Sequence, residues 1–307
     1  SYVVMQPLAL VPSDLLQALL YGAFDIAFLL LGIALVSRMV GANYLKATVL
    51  VTSVLLLSPF FLQHVTTLNY NVIAVFGAIA VFYGISTNTS WMFVAGSVLC
   101  STKPSLLIPL LLVLLARRDA KAIILIGATQ AFVWLAASAW AATPPLEFLQ
   151  QLSATQVDFS SGTTDGLLAI LPVEMRSWAL FIAIALSALV CISLRRYVRD
   201  PANALLVAIC LSLSLYYNHV HAWIMAYPLL IAAGWMPLHR LRRLVTLTLV
   251  SAFLMVPRLA QLVPPDSRVV YITGHNFVRF GALILTTALV VKSRTQRSTK
   301  PESPLGS

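Results

Sequence analysis

Charge is scarce in this chain. Only 10% of its 307 residues are Asp, Glu, Lys or Arg, while 60% are hydrophobic and mean hydropathy is +0.90. Soluble domains carry about 25% charged residues, so the composition excludes the pair of soluble domains that the length alone suggests. A multi-span membrane protein is left. Acids are scarcest: ten, against twenty Lys and Arg, for a formal net charge of +10. In a soluble protein that excess points to nucleic acid; in a membrane chain it first reports sidedness, and no nucleic-acid partner is expected. Cysteine is nearly absent. Cys100, Cys191 and Cys210 lie in apolar runs without CxxC or metal spacing and read as packing residues. Walker A, GxGxxG, HExxH and GxSxG signatures are all missing, no internal repeat stands out, and neither a metal nor a cofactor is expected.

What is present is a series of apolar runs. A hydrocarbon core of about 30 Å needs about 20 residues of helix, and helices satisfy their own backbone within the segment. The runs cover 15–37, 45–62, 71–85, a broken stretch 91–116, 120–142, 178–194, 202–217, 222–236, 244–256 and 279–291. The expected fold is therefore all-α and polytopic, with about ten hydrophobic segments forming one transmembrane domain over 1–291. The polar tail 292–307 is expected to be disordered and cytoplasmic. Lys and Arg gather in five clusters: Arg38 with Lys46; Arg117, Arg118 and Lys121; Arg195, Arg196 and Arg199; Arg240, Arg242 and Arg243; and Lys292, Arg294, Arg297 and Lys300. These hold fifteen of the twenty cations. All five fall on one side, the cytoplasmic side of a plasma membrane, if the broken stretch enters and leaves on that side. Pro104 supplies the break, giving two half-helices, 91–101 and 105–116, that meet at an outward-directed Lys103. Trp140, Trp178 and Trp223 then fall at outer helix ends and Trp91 and Trp235 at inner ones, as interfacial anchors do.

Chemistry belongs to the outer face, where four of the five histidines and six of the ten acids fall. Lys103 is the most informative residue. An ammonium in an apolar stretch needs an anionic partner or water, and the start of the second half-helix adds N–H groups that attract anions. Lys103 reads either as a phosphate ligand, or as a snorkelling lysine or the partner of an internal carboxylate. Asp25, roughly 15 Å into the first run at 1.5 Å per residue, is a proton-relay group, a partner for Lys103 or a structural acid. Tyr217, Asn218, His219 and His221 crowd one outer junction, suiting sugar-hydroxyl, phosphate or general-base contacts better than zinc, or forming a plain aromatic turn. Asn69 and Asn71 open a run on the same side, where Asn71, taken alone, reads first as an N-cap. The long outer loop 143–177 carries Asp158 and Asp165 in a hydroxyl-rich stretch, as base, metal ligand or solvated acids. Arg258, Arg268 and Arg279, in or beside the last outer loop, are candidate phosphate or headgroup contacts.

Several segments together resemble glycosyltransferase family 87, of the GT-C class of integral-membrane glycosyltransferases. The stretch Tyr2-Val3-Val4-Met5-Gln6-Pro7, leading through Pro12 into the first run, is similar to the family's proline-containing stretch after its first outer loop. Leu68-Asn69-Tyr70-Asn71 sits where the family has a Gly-Gln-x-Asn helix start, matching the Asn but not the Gly and Gln. Lys103-Pro104, with Pro109 and then Arg117-Arg118, is similar to its Lys-containing, proline-rich half-helix. His219 to Leu229, with Tyr227-Pro228, is similar to its late His-containing helix, and 162–166 to a loop whose Asn is missing here. The resemblance implies transfer of a hexose, typically mannose, from a polyprenyl-phosphate donor to a lipid or glycan acceptor on the outer face. Lys103, Arg258 and Arg268 would meet the donor phosphate, and Asn69, Asn71, Tyr217, His219 and His221 the sugar and acceptor. It also implies an earlier span and an outer loop bearing the catalytic Asp. Sequence similar to the far side of that loop begins at Ser1, so a truncated chain or a degenerate homologue is expected, with Asp14 and Asp158 as candidate bases. The alternative functions are a transporter or lipid flippase using Asp25 and Lys103, or a non-catalytic membrane scaffold.

Overall fold

The computed structural model describes residues 14–58, 70–144, 147, 164–165, 178–216, 218–236, 239–254 and 265–298. They form eleven α-helices: α1 Asp14–Val40, α2 Tyr44–Leu57, α3 Asn71–Thr87, α4 Ser90–Cys100, α5 Pro104–Arg117, α6 Ala120–Trp140, α7 Ala179–Ser193, α8 Pro201–Leu215, α9 Tyr227–Gly234, α10 His239–Leu254 and α11 Pro265–Ser298. A 3-10 helix, Val220–Ala226, precedes α9, and two short strands, β1 Thr164–Asp165 and β2 Asn218–His219, pair antiparallel.

Two helices form the centre. Twelve of the seventeen residues of α3 and thirteen of the fifteen of α8 are buried, which fits sequences apolar on every side. Around them stand helices apolar on the outside as well. Leu19 and Ile26 on α1, Leu45 and Leu56 on α2, Ile124 and Phe132 on α6, and Phe181 and Leu189 on α7 are all more than half exposed. A soluble protein does not carry so extensive an apolar surface; a lipid-facing belt does. The stretches Leu16–Val40 and Ala120–Trp140 are each long and apolar enough to cross a bilayer.

The helix ends sort into two groups. Arg117 Nη1 donates to the carbonyls of Val198, at 2.6 Å, and of Arg199. Arg294 donates to Asn203 Oδ1 at 3.2 Å and to the Met39 carbonyl at 3.3 Å, with the Asp200 carboxylate 3.6 Å away. Lys46 shares a cavity with Arg242 and Arg243, and Asp119 and Lys121 share a smaller one with Asn88 and Ser90. These contacts bring residues of all five basic clusters to one end of the bundle. They also put the start of α4 and the end of α5 at that end. The break at Ser101–Lys103 therefore lies opposite, as the charge pattern required.

Three differences from the sequence reading have physical causes. The run 222–236 is not one helix: residues 222–226 are a fully buried 3-10 turn, and only Tyr227–Gly234 is α-helical. Irregular backbone at that depth is tolerable because protein surrounds it. The last helix does not stop at 291 but continues to Ser298, where buried Ser293 and the contacts of Arg294 and Thr295 hold it against α8. Trp223 is no interfacial anchor; it is 1% exposed, whereas Trp91, Trp140 and Trp178 stay exposed. The three cysteines are buried and free, as packing residues should be.

Candidate functional site

The site at the end opposite the basic clusters starts with glycine. Helices α3 and α4 run antiparallel at very close range: a Cβ on Gly96 would stand 2.5 Å from the Gly77 carbonyl oxygen, and one on Gly84 3.0 Å from the Phe93 amide nitrogen. Small residues permit such an approach, and backbone contact then fixes the register. In that register the Cys100 thiol donates to the Ala74 carbonyl at 3.5 Å. One turn further on, the Lys103 ammonium donates to Asn71 Oδ1, joining residues 32 apart in sequence.

Asn71 is thus not the N-cap, a position held by Tyr70; it is the first residue of α3 and completely buried. Because the ammonium can only donate, it takes the amide oxygen and leaves the NH2 group. That nitrogen has no hydrogen-bond partner among the described residues. Lys103, partly buried, occupies the N-cap of α5 in extended conformation, with no side-chain cap bond and with Pro104 at the first helical position. One ammonium and the N–H groups of a helix start therefore lie together, an arrangement that favours an anion.

Further polar groups stand on α1. The Tyr21 and Tyr70 rings meet edge to face, centroids 6.2 Å apart. Asp25, four residues after Tyr21 and so on the same helix face, is 7% exposed and within electrostatic range of the Tyr21 and Tyr227 hydroxyls. The Lys103 side chain thus bonds Asn71, and Asp25 sits among tyrosines. Gly32 makes room for this packing, since a Cβ there would overlap the Tyr227 hydroxyl. Neither Tyr21 nor Tyr227 was among the sequence candidates for the site; the four-residue step from Tyr21 to Asp25 on α1 and the place of Tyr227 before Pro228 at the start of α9 were the available signals.

Residues 164–165 reach the same end: Thr164 pairs with His219 and Asp165 with Asn218 as one antiparallel rung. His221 follows in the 3-10 turn, which packs on α3 and α8. Arg279 is the second surprise. Expected near the surface, it is 1% exposed, its guanidinium carbon 4.3 Å from the centre of the Trp223 ring, with the tilted Phe280 ring centred 5.7 Å from the same ring. A desolvated cation over an indole is worth about 2 kcal/mol, which makes the pair a structural rivet as well as a buried charge. Among the other sequence candidates, Asp14 is the first residue of α1 and Arg268 lies in α11. Asn69, Asp158, Tyr217 and Arg258 fall outside the described residues. Among the described residues no three His, Cys, Asp or Glu side chains come together as a metal site.

The chain matches no curated protein and no solved structure. A family model does match it, over residues 1–217, a stretch containing both the Lys103–Asn71 pair and the α3–α4 glycine contact. An apolar helical bundle with a cation and an amide at the end opposite its basic clusters is thus accounted for, and the chain belongs to glycosyltransferase family 87.

Proposed function

We propose that this glycosyltransferase crosses the plasma membrane repeatedly, basic end and C-terminus in the cytoplasm. It moves a hexose, mannose by resemblance, from a polyprenyl-phosphate donor to a lipid or glycan acceptor on the outer face. The acceptor hydroxyl oxygen attacks the anomeric carbon as the bond from that carbon to the phosphate oxygen breaks. The electron pair leaves with the polyprenyl phosphate, and the hydroxyl proton passes to a carboxylate, for which Asp14 and Asp158 are the candidates. Lys103 meets the charge that grows on the leaving phosphate, with Arg258 and Arg268 as further cations. Asn71 aims the ammonium through its carbonyl and offers its NH2 to a phosphate or sugar oxygen. Asn69, Tyr217, His219 and His221 contact the hydroxyls of sugar and acceptor.

The observation that carries this reading is the Lys103–Asn71 hydrogen bond at the start of α5, opposite the five basic clusters. Loss of a cation that stabilises a transition-state charge costs about a hundredfold or more in rate. Membranes supplied with labelled polyprenyl-phosphate mannose should therefore transfer label with the wild-type chain and at no more than about 1% of that rate with Lys103→Ala. Equal rates would remove Lys103 from the mechanism. Ion-coupled uptake by sealed vesicles, without any sugar transfer, would instead establish the transporter reading.

A further inference from the structure

An open cavity lies at the other end of the molecule. It measures about 630 Å³ between α2, the end of α9 and α10, within the size range of small-molecule sites. Lys46, Arg242 and Arg243 supply its charge, and no acid is among its described lining residues. Its other wall is apolar: Leu50, the Trp235 ring and Leu247, which is 65% exposed and continues the outer belt of exposed leucines. Thr246 also lines it, with a hydroxyl shut off from solvent that has no hydrogen-bond partner among the described residues. Three cations, an unused hydroxyl and a leucine path to the lipid-facing surface suit one class of molecule.

We infer that this cavity binds an anionic phospholipid, its phosphate held by Lys46, Arg242 and Arg243 and the Thr246 hydroxyl, its acyl chains leaving along Leu247. The inference rests on the transmembrane reading but not on sugar transfer, because the cavity lies at the end opposite Lys103. Basic pockets between helices on the cytoplasmic side take such headgroups, and a cation near an anionic lipid surface contributes about a factor of five in affinity. A free phosphate ion would gain nothing from the leucine wall.

The test is lipid binding by the purified full chain in neutral detergent, read as apparent Kd by native mass spectrometry. Phosphatidylglycerol, phosphatidylcholine and inorganic phosphate are titrated separately. Phosphatidylglycerol should bind with defined stoichiometry and the other two should not. Arg242→Gln with Arg243→Gln should weaken it about thirtyfold. The exposed pair Arg195→Gln with Arg196→Gln, which removes the same charge from the same end, should leave the Kd unchanged. Equal loss in both double variants, equal binding of phosphatidylcholine, or full competition by inorganic phosphate would each overturn the proposal. If the Arg242/Arg243 variant does not fold, Leu247→Trp keeps every charge and obstructs the mouth; undiminished phosphatidylglycerol binding there overturns the proposal equally.

Discussion

Under the proposed function Lys103 has two jobs that pull in different directions. As the N-cap of α5 it is a poor choice, since its side chain makes no cap bond, whereas Asn43, Asp119 and Asp200 each accept from a backbone amide three residues on. A cap of that kind is worth about 1 kcal/mol. Lys103→Ser should therefore gain about 1 kcal/mol from a capping hydroxyl but leave the buried Asn71 oxygen without its donor, at about 1–3 kcal/mol, so that stability falls by no more than about 2 kcal/mol while the transfer rate falls about a hundredfold or more. Thermal denaturation and a transfer assay on the same preparation separate the two effects; a transfer loss no larger than the unfolded fraction accounts for would make Lys103 a structural residue. The oddness of this lysine was legible in the sequence, because a cation between two apolar runs has few bland explanations. Its partner was not. Asn71 looked like a cap because it opens a run, and nothing local reports a bond to a residue 32 positions away.

That bond is set by an element pair. Gly77, Gly84 and Gly96 let α3 and α4 touch through their backbones, and the register so fixed carries Lys103 to Asn71. Gly96→Ala forces its Cβ against the Gly77 carbonyl and the Val81 amide, neither of which is the end of a flexible side chain. It should cost about 1–3 kcal/mol and lower the transfer rate by displacing Lys103. Gly127→Ala, where an added Cβ meets nothing within 4 Å, should leave both unchanged or slightly improved. Equal melting temperatures for the two variants would dissolve the glycine argument. The helices themselves were readable from apolar runs and from Pro104. The 3-10 turn before α9 was not, since its buried Ala, Trp, Ile and Met have the composition of a helix. Nor was the extra length of α11, which depends on Asn203, Asp200 and Met39 being waiting for Arg294.

At the scale of the molecule, the charge pattern and the contacts agree on two unlike ends. Single cysteines test which end faces which compartment, and the native thiols, all buried, leave a silent background. A membrane-impermeant maleimide should label cysteines at Asn88 and at Arg118 only after permeabilisation, and one at Thr143 in intact cells. Labelling of Asn88 and Arg118 from opposite sides would make α4 and α5 a single crossing. The gathering of the basic clusters at one end was legible from their spacing along the chain; the cavity between Lys46 and Arg242 was not, because it exists only once α2 meets α10. The broken hairpin also constrains how the chain is made. With 11 and 14 residues, α4 and α5 are about 16 and 21 Å long, each short of a hydrocarbon core of about 30 Å. Neither arm can partition into a bilayer as an independent crossing during synthesis. The two arms have to enter together and pack on α3, which directly precedes them in the chain, so Lys103 is buried by the docking of the hairpin rather than by the insertion of either arm.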